Sequence, residues 1–163
     1  MIHTLPIPTP FAVGRVNLYL IEDEPLTLVD TGPNSGVALD ELERGLARLG
    51  RRIEDLGLIV LTHQHMDHVG LASILARRSG ADVAGIDLLA GYLADFHARM
   101  ETDDRFAEAL MRRAGVPPEV VVALRALSSA VRGWGARADI TMPLRERGEL
   151  RLRDRTLTVH HRP

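Results

Sequence analysis

Three histidines and one aspartate lie close together directly after a short apolar segment. His63 and His65 are two residues apart, and Asp67 and His68 follow at once. Residues i and i+2 of an extended chain point to the same side, so the first two imidazoles can reach one metal ion. Asp67 and His68 come where the chain turns toward a helix and can hold a second ion. Imidazole and carboxylate suit zinc, and also iron, manganese or nickel, so this cluster predicts a two-metal site.

The composition narrows the chemistry further. The 163 residues contain no cysteine, so a thiolate metal site and a disulfide scaffold are both excluded. The 20 basic residues, all of them arginine, nearly balance 22 acidic ones, so no nucleic-acid partner is expected. No apolar run approaches the ~20 residues of a membrane helix, and the first residues do not resemble a signal peptide. We therefore expect a cytoplasmic protein with a small-molecule substrate and no membrane contact.

The elements before the cluster read as strands followed by a helix. Residues 16–21 and 26–29 predict two strands separated by a polar turn. Asp30 ends the second strand, and either Asn34 or Ser35 can cap the helix that follows it. Gly50 marks the expected end of that helix, and the leucines that recur at helical spacing within it are Leu39, Leu42, Leu46 and Leu49.

The cluster itself follows a wholly apolar strand, and a largely helical region comes after it. Residues 58–61 predict a buried strand, and residues 69–78 predict a helix. Residues 86–135 read as helical, with Asp103 or Asp104 as one cap, Gly115 as a stop and Pro117-Pro118 opening a last helix. That last helix is expected to bury a stripe at helical spacing formed by Val120, Leu124, Leu127 and Val131. Strands are predicted again at 149–153 and 156–160, separated by a turn at Asp154-Arg155.

Two motifs resemble those of the metallo-β-lactamase superfamily. The string THQHMDHVG, residues 62–70, matches the HxHxDH signature of that family, and LVDTG, which contains Asp30, is similar to its upstream motif. The resemblance implies an α/β fold, the metallo-β-lactamase-like αββα sandwich. Residues 1–163 would form a single domain, the N-terminal half of the sandwich and the start of the second half, with residues 86–135 as a helical insert.

The resemblance also implies roles for the cluster. His63 and His65 would bind a first zinc, and Asp67 and His68 a second, with Asp67 also orienting a bridging hydroxide. Asp30 would support the site, although it can also be a plain turn or helix cap. Di-iron relatives usually carry glutamate at position 65, so histidine there favours zinc and hydrolysis.

The implied function is a zinc-dependent hydrolase that uses a metal-bound hydroxide on a small ester, thioester or lactone. The alternatives are a phosphodiesterase of the same fold and a non-catalytic, metal-binding or regulatory protein with a remnant site. The helical region is the expected source of selectivity, and its possible pocket residues are Tyr92, Phe96, His97 and Trp134.

The later ligands of the family have no counterpart in this sequence. We therefore expect the domain to be incomplete at its C-terminus, and a missing C-terminal segment or a homo-oligomer to complete a site of two zinc ions. His160 and His161 are possible substitutes, but they alternate on a predicted strand ahead of the expected ligand loop.

Overall fold

A six-stranded mixed sheet forms the centre of the computed structural model, which describes residues 1–12 and 14–162. The first three strands pair antiparallel, and the last four pair parallel. In spatial order the strands are β1 (Ile2–Pro8), β2 (Arg15–Ile21), β3 (Thr27–Val29), β4 (Leu58–Leu61), β5 (Asp82–Ile86) and β6 (Met142–Leu144).

Within residues 1–12 and 14–162, six α-helices and a separate hairpin accompany the sheet. The hairpin pairs β7 (Glu149–Arg151) with β8 (Thr156–Thr158). Among the residues described, no helix is both long and apolar enough to cross a membrane. The helices are α1 (Gly36–Arg48), α2 (Met66–Val69), α3 (Ala72–Ser79), α4 (Asp87–Ala94), α5 (Phe96–Arg113) and α6 (Pro118–Val131), with short 3-10 turns at Ile53–Asp55 and Arg132–Trp134.

Helix α1 shows how the local sequence sets an element. The Ser35 side chain accepts the backbone N–H of Ala38 at 3.1 Å, which satisfies one of the free donors at the helix start. The chain leaves the helix through Gly50, whose φ of 69° is the left-handed conformation that glycine adopts readily. Of the two predicted caps, Ser35 is therefore the one used.

The sheet buries apolar side chains on both faces. On one face, alternating residues of β2 such as Leu18 and Leu20 pack with Leu42 of α1. On the other face, Leu150 and Leu152 of the hairpin region cover residues of the sheet, which are Ile21, Leu58 and Ala84. The predicted strand at 58–61 is confirmed as β4, and its alternating residues contribute to both cores.

Charged side chains join helices α5 and α6. Arg125 of α6 lies 3.0 Å from Glu101 and 2.8 Å from Asp104, both on α5. Arg132 lies 2.7 Å from Asp104, and Ser128 donates to the same carboxylate at 2.8 Å. The hydrogen bond from Arg132 is the largest influence that lowers the pKa of Glu101, to about 2. Ion pairs therefore form a substantial part of the contact between these helices.

This ionic contact overturns the buried stripe predicted for α6. Val120, Leu124 and Leu127 are 42%, 45% and 59% exposed, whereas Val121 is fully buried. The face that carries Arg125 and its ion pairs turns toward α5, so the apolar face is left outside. The spacing identified a real stripe but could not show which face meets a neighbour.

The structure corrects two further local predictions and adds three strands that were not predicted. Asp103 and Asp104 lie inside α5 rather than at a cap, because that helix begins at Phe96 and runs without a break. Most of the helix predicted at 69–78 is present as α3, but α3 begins only at Ala72, because the chain around Gly70 separates it from α2. Strands β1, β5 and β6 were not predicted, since Pro6, Gly85 and Pro143 weaken the strand pattern.

Candidate metal centre

The candidate site forms where two parallel strands end side by side. Strands β3 and β4 run parallel, with Val29 opposite Val60. Their carboxyl ends therefore reach the same edge of the sheet, a usual place for a ligand site in α/β proteins. The backbone N–H of Asp30 donates to the Val60 carbonyl at 2.8 Å, which ties the two strand ends together.

Asp30 is a buried hydrogen-bond acceptor at the centre of this edge. Asp30 is 4% exposed. Its backbone φ of 60° is left-handed, a conformation that aspartate tolerates better than most residues. The carboxylate accepts the Thr62 backbone N–H at 2.9 Å and the Thr62 hydroxyl at 2.8 Å. It also lies 2.8 Å from Nδ1 of His68. Asp30 thus holds both ends of the histidine-rich loop.

His63 and His65 bring two ring nitrogens face to face. Nε2 of His63 lies 3.0 Å from Nδ1 of His65. Two nitrogens bound tetrahedrally to one zinc at normal bond lengths are roughly 3.3 Å apart. The other nitrogen of His63, Nδ1, lies 2.8 Å from the Thr62 hydroxyl. The separation of the facing nitrogens therefore fits a single shared ion.

Asp67 and His68 form a second donor pair beside the first. Oδ2 of Asp67 lies 3.8 Å from Nε2 of His68, and the ring centres of His63 and His68 are 4.2 Å apart. One donor atom each from Asp30, His63 and His68 lies within 4.8 Å of the others. Because both oxygens of Asp30 already accept hydrogen bonds, its geometry favours a supporting role over direct ligation.

The environment shifts two of the imidazoles in opposite directions. Burial, together with the neighbouring His68 and His65, lowers the pKa of His63. Burial also acts to lower the pKa of His68, but the hydrogen bond and charge of Asp30 outweigh it and raise that pKa. An imidazole that stays neutral at ordinary pH is the form that can bind a metal.

Backbone contacts hold the histidine-rich loop to the segment after β3. The N–H and the hydroxyl of Thr31 both donate to the carbonyl of His68 at 2.8 Å. A Cβ atom on Gly70 would overlap the Asn34 nitrogen and the Trp134 carbonyl oxygen, so only glycine fits there. The same Asn34 N–H donates to that carbonyl at 2.7 Å. The loop, the segment around Asn34 and the end of the helical region thus meet at Gly70.

The donor set fits a divalent transition metal. Three imidazoles and one carboxylate lie within one loop, and the sequence has no thiolate to compete with them. This combination suits zinc and does not suit calcium or magnesium, which prefer oxygen donors.

Two clefts open beside the loop. Phe11, His65, Met66 and Asp67 line an open pocket of about 300 Å³, and the Phe11 ring packs edge-on against Trp134 at 5.2 Å. A second cleft of about 430 Å³ lies on the His63 side, and Thr62, Gln64, Tyr92 and His161 are among its lining residues.

The predicted pocket residues therefore separate into different environments. Tyr92 lines the cleft on the His63 side, and Trp134 packs against the Phe11 ring. Phe96 is a core residue with 1% exposure, whereas His97 is on the surface.

The two late histidines lie near the site without joining it. His160 and His161 line the cleft between β4 and the hairpin, and both are exposed. Among the described residues, neither belongs to the close group of donor atoms. The backbone N–H of His161 is held by the Glu146 carboxylate instead.

Thr62 and Thr31 are contributors that the sequence reasoning missed. Each makes side-chain hydrogen bonds within the loop network. Their only signal in the sequence is position: Thr62 directly precedes His63, and Thr31 directly follows Asp30.

Comparison with known proteins identifies relatives of this chain. The sequence model of the metallo-beta-lactamase superfamily matches residues 12–160. The chain is 34% identical over 140 residues to "Probable metallo-hydrolase YqjP" of Bacillus subtilis, covering 86% of this chain and 43% of that protein. A shorter match, 39% identity over 67 residues, links it to exodeoxyribonuclease WalJ of Streptococcus pneumoniae and covers 41% of this chain and 23% of that one.

Solved structures show the same fold. The metallo-beta-lactamase family protein TTHA1429 from Thermus thermophilus superposes with a TM-score of 0.71 and 31% identity over 98% of this chain. The match covers 50% of that structure, and the chain spans less than half of the curated relatives named above. The predicted α/β fold class is thus confirmed.

Proposed function

The chain belongs to the metallo-beta-lactamase superfamily, and on that premise we propose that it forms part of the active site of a zinc-dependent hydrolase. The substrate class we propose is a small ester, thioester or lactone. The observation that carries the proposal is the pair of facing nitrogens on His63 and His65, with Asp67 and His68 beside them. The broader assignment, a metallo-hydrolase of this superfamily, follows from the family itself.

The proposal assigns the four residues to two ions. His63 and His65 would hold one zinc, and Asp67 and His68 would hold the other. Catalytic zinc normally has three protein ligands, so two donors for each ion are too few. We therefore propose that each ion takes further ligands from outside the described residues. A further segment of the protein or a second copy of this chain would supply them.

The mechanism assigns distinct tasks to the chain's own residues. When bound, the metal would bring the pKa of a water molecule close to neutrality and offset negative charge on the substrate. Asp67 would hold the attacking water by a hydrogen bond and take up its proton. Asp30 keeps the His68 ring in place through the 2.8 Å contact at Nδ1. Phe11 and Met66 provide an apolar wall for the acyl part of a substrate next to Asp67.

Metal content and hydrolysis, measured together, test this function. Zinc bound per chain would be measured by elemental mass spectrometry on protein purified without a metal-binding tag. Thioester, lactone and bis-aryl phosphate substrates would then be tried with chelator and with zinc restored. Ester, thioester or lactone turnover that is lost with chelator and restored by zinc supports the proposal. A monomeric, zinc-saturated chain would contradict the part that requires further ligands.

One finding favours a second candidate within the same family. The 67-residue match to an exodeoxyribonuclease supports phosphodiester hydrolysis by the same site. The bis-aryl phosphate substrate separates this candidate from the first. Zinc binding without any turnover, in protein that contains all its ligands, would instead favour a metal-binding protein with a remnant site.

A further inference from the structure

The hydroxyl of Thr62 lies between the carboxylate of Asp30 and the imidazole ring of His63. Its Oγ1 is 3.0 Å from Oδ1 and 2.8 Å from Oδ2 of Asp30. The same oxygen is 2.8 Å from Nδ1 of His63. Thr62 therefore links Asp30 to His63 through its hydroxyl, whereas Asp30 reaches His68 directly at 2.8 Å.

The position of the single hydroxyl proton follows from these distances. A carboxylate only accepts hydrogen bonds, whereas a hydroxyl donates one and accepts others. If the Thr62 proton pointed at His63, an unprotonated oxygen would face both carboxylate oxygens at hydrogen-bond distance, which is repulsive. The Thr62 O–H must therefore donate to Asp30. Its lone pairs are then available only to a donor on His63, so Nδ1 of that ring carries the proton.

We propose that Thr62 is a positioning residue that fixes the tautomer of His63, with the proton on Nδ1 and the lone pair on Nε2. Nε2 is the nitrogen that faces Nδ1 of His65 at 3.0 Å. The lone pair is thus directed to the place where the proposed function requires a metal, and the inference rests on that function for its purpose. Asp30 acts on His68 in the same way through direct contact, so one carboxylate orients both rings.

The chemistry of the position explains the choice of threonine. Valine has nearly the same shape and the same branched Cβ but has no hydroxyl, so it removes the hydrogen bonds while preserving the local backbone preference. Serine keeps the hydroxyl and loses only a methyl group. Partners that orient a metal-binding histidine typically change metal affinity by about 10–100-fold when they are removed.

The decisive test reads the tautomers in the metal-free protein by nitrogen–proton NMR correlation of the imidazole rings. The variants are Thr62→Val and Thr62→Ser, with Thr156→Val on β8 as a matched control, since Thr156 is exposed and remote in sequence. We expect both His63 and His68 of the wild type to carry the proton on Nδ1. In Thr62→Val, His63 should lose that preference while His68 keeps it, and Thr62→Ser should behave as the wild type does.

Zinc affinity, measured by competition with a chelator, provides the second readout. Thr62→Val should bind zinc about 10–100-fold more weakly, and Thr62→Ser and Thr156→Val should stay near the wild-type value. A wild-type His63 protonated on Nε2 would overturn the inference, even if no variant folds. So would an unchanged His63 tautomer in Thr62→Val. A wild type with the expected tautomers but no zinc binding would uphold the inference and contradict the proposed function.

Discussion

Asp30→Ala is the substitution whose effect on stability follows most directly from the structure. It removes a 4%-exposed carboxylate that accepts hydrogen bonds from the Thr62 backbone, the Thr62 hydroxyl and the His68 ring. It also places alanine at a backbone φ of 60°. Both changes destabilise the folded state, and neither depends on bound metal.

The size of the effect comes from two contributions. A hydrogen bond to a charged group contributes about 1.5–3 kcal/mol, but Thr62 and His68 are partly reachable by water and recover some of that energy. We take about 3 kcal/mol for the lost acceptor. Alanine in the left-handed conformation costs roughly 1–2 kcal/mol more. Together these contributions should lower the free energy of unfolding by ~4–5 kcal/mol, a large part of the roughly 5–15 kcal/mol typical of a domain.

Two further variants separate these contributions. In Asp30→Asn, the new side chain tolerates the left-handed backbone and still accepts from Thr62, but its NH2 group cannot accept from His68. We expect this variant to lose roughly 1–2 kcal/mol. Asp139→Ala removes a carboxylate whose side chain is 70% exposed and should change stability by less than about 0.5 kcal/mol.

Urea unfolding of chelator-treated protein measures the free energy of unfolding of all three variants and of the wild type. Circular dichroism reports the whole fold, and fluorescence of Trp134, the single tryptophan, reports the region beside the histidine-rich loop. Coincident transitions would justify a two-state treatment. If Asp30→Ala lay within about 1 kcal/mol of the wild type, the reasoning about this buried network would be refuted.

Three other outcomes are expected. Asp67→Ala should abolish turnover of the completed enzyme while circular dichroism shows the fold intact, and unchanged turnover would contradict its assignment. Burial and the hydrogen bond to Asp103 raise the pKa of Tyr92 from 10 to about 12. The neutral phenol therefore contributes stability that is fully present below pH 10. That contribution is lost as the pH rises through about 12. In an alkaline absorbance titration, the Tyr92→Phe variant should lack a tyrosine transition that the wild type shows near pH 12. If the transition that disappears lies near pH 10 instead, the raised pKa of Tyr92 is contradicted. Leu127 of α6 is 59% exposed, so Leu127→Ala should change the free energy of unfolding by less than about 0.5 kcal/mol. Leu93 lies in the core, so Leu93→Ala should lower the free energy of unfolding by ~2–5 kcal/mol. Equal losses in the two variants would show that the apolar stripe of α6 is covered.

The sequence predicted best the elements whose signals are local. The Ser35 cap, the stop at Gly50 and the apolar strand Leu58–Leu61 each depend on a few adjacent residues, and the structure has all three. The spacing of His63 and His65 also predicted that their nitrogens would meet, because alternation along an extended chain is geometry over two residues. The assignment of metals to these residues stays a prediction.

The features that were missed depend on contacts between distant residues. The exposed face of α6 follows from ion pairs between Arg125, Arg132 and residues about 20–30 positions earlier, which no periodicity within α6 reveals. Strand β6 is defined by its parallel pairing with β5, from which the whole helical region separates it in sequence. The role of Thr62 likewise depends on Asp30, whose approach is set by the pairing of β3 with β4.

The junction at Gly70 gives the helical region a fixed base and an outer part under much weaker constraint. Trp134 at the base contacts both Asn34 and Phe11, so a change of backbone there would disturb the histidine-rich loop. The connection between α5 and α6, by contrast, consists mostly of exposed residues around Gly115. Natural variation and protein engineering can therefore lengthen, shorten or replace the outer turns of α5 and α6, provided that Gly70 and Trp134 keep their places.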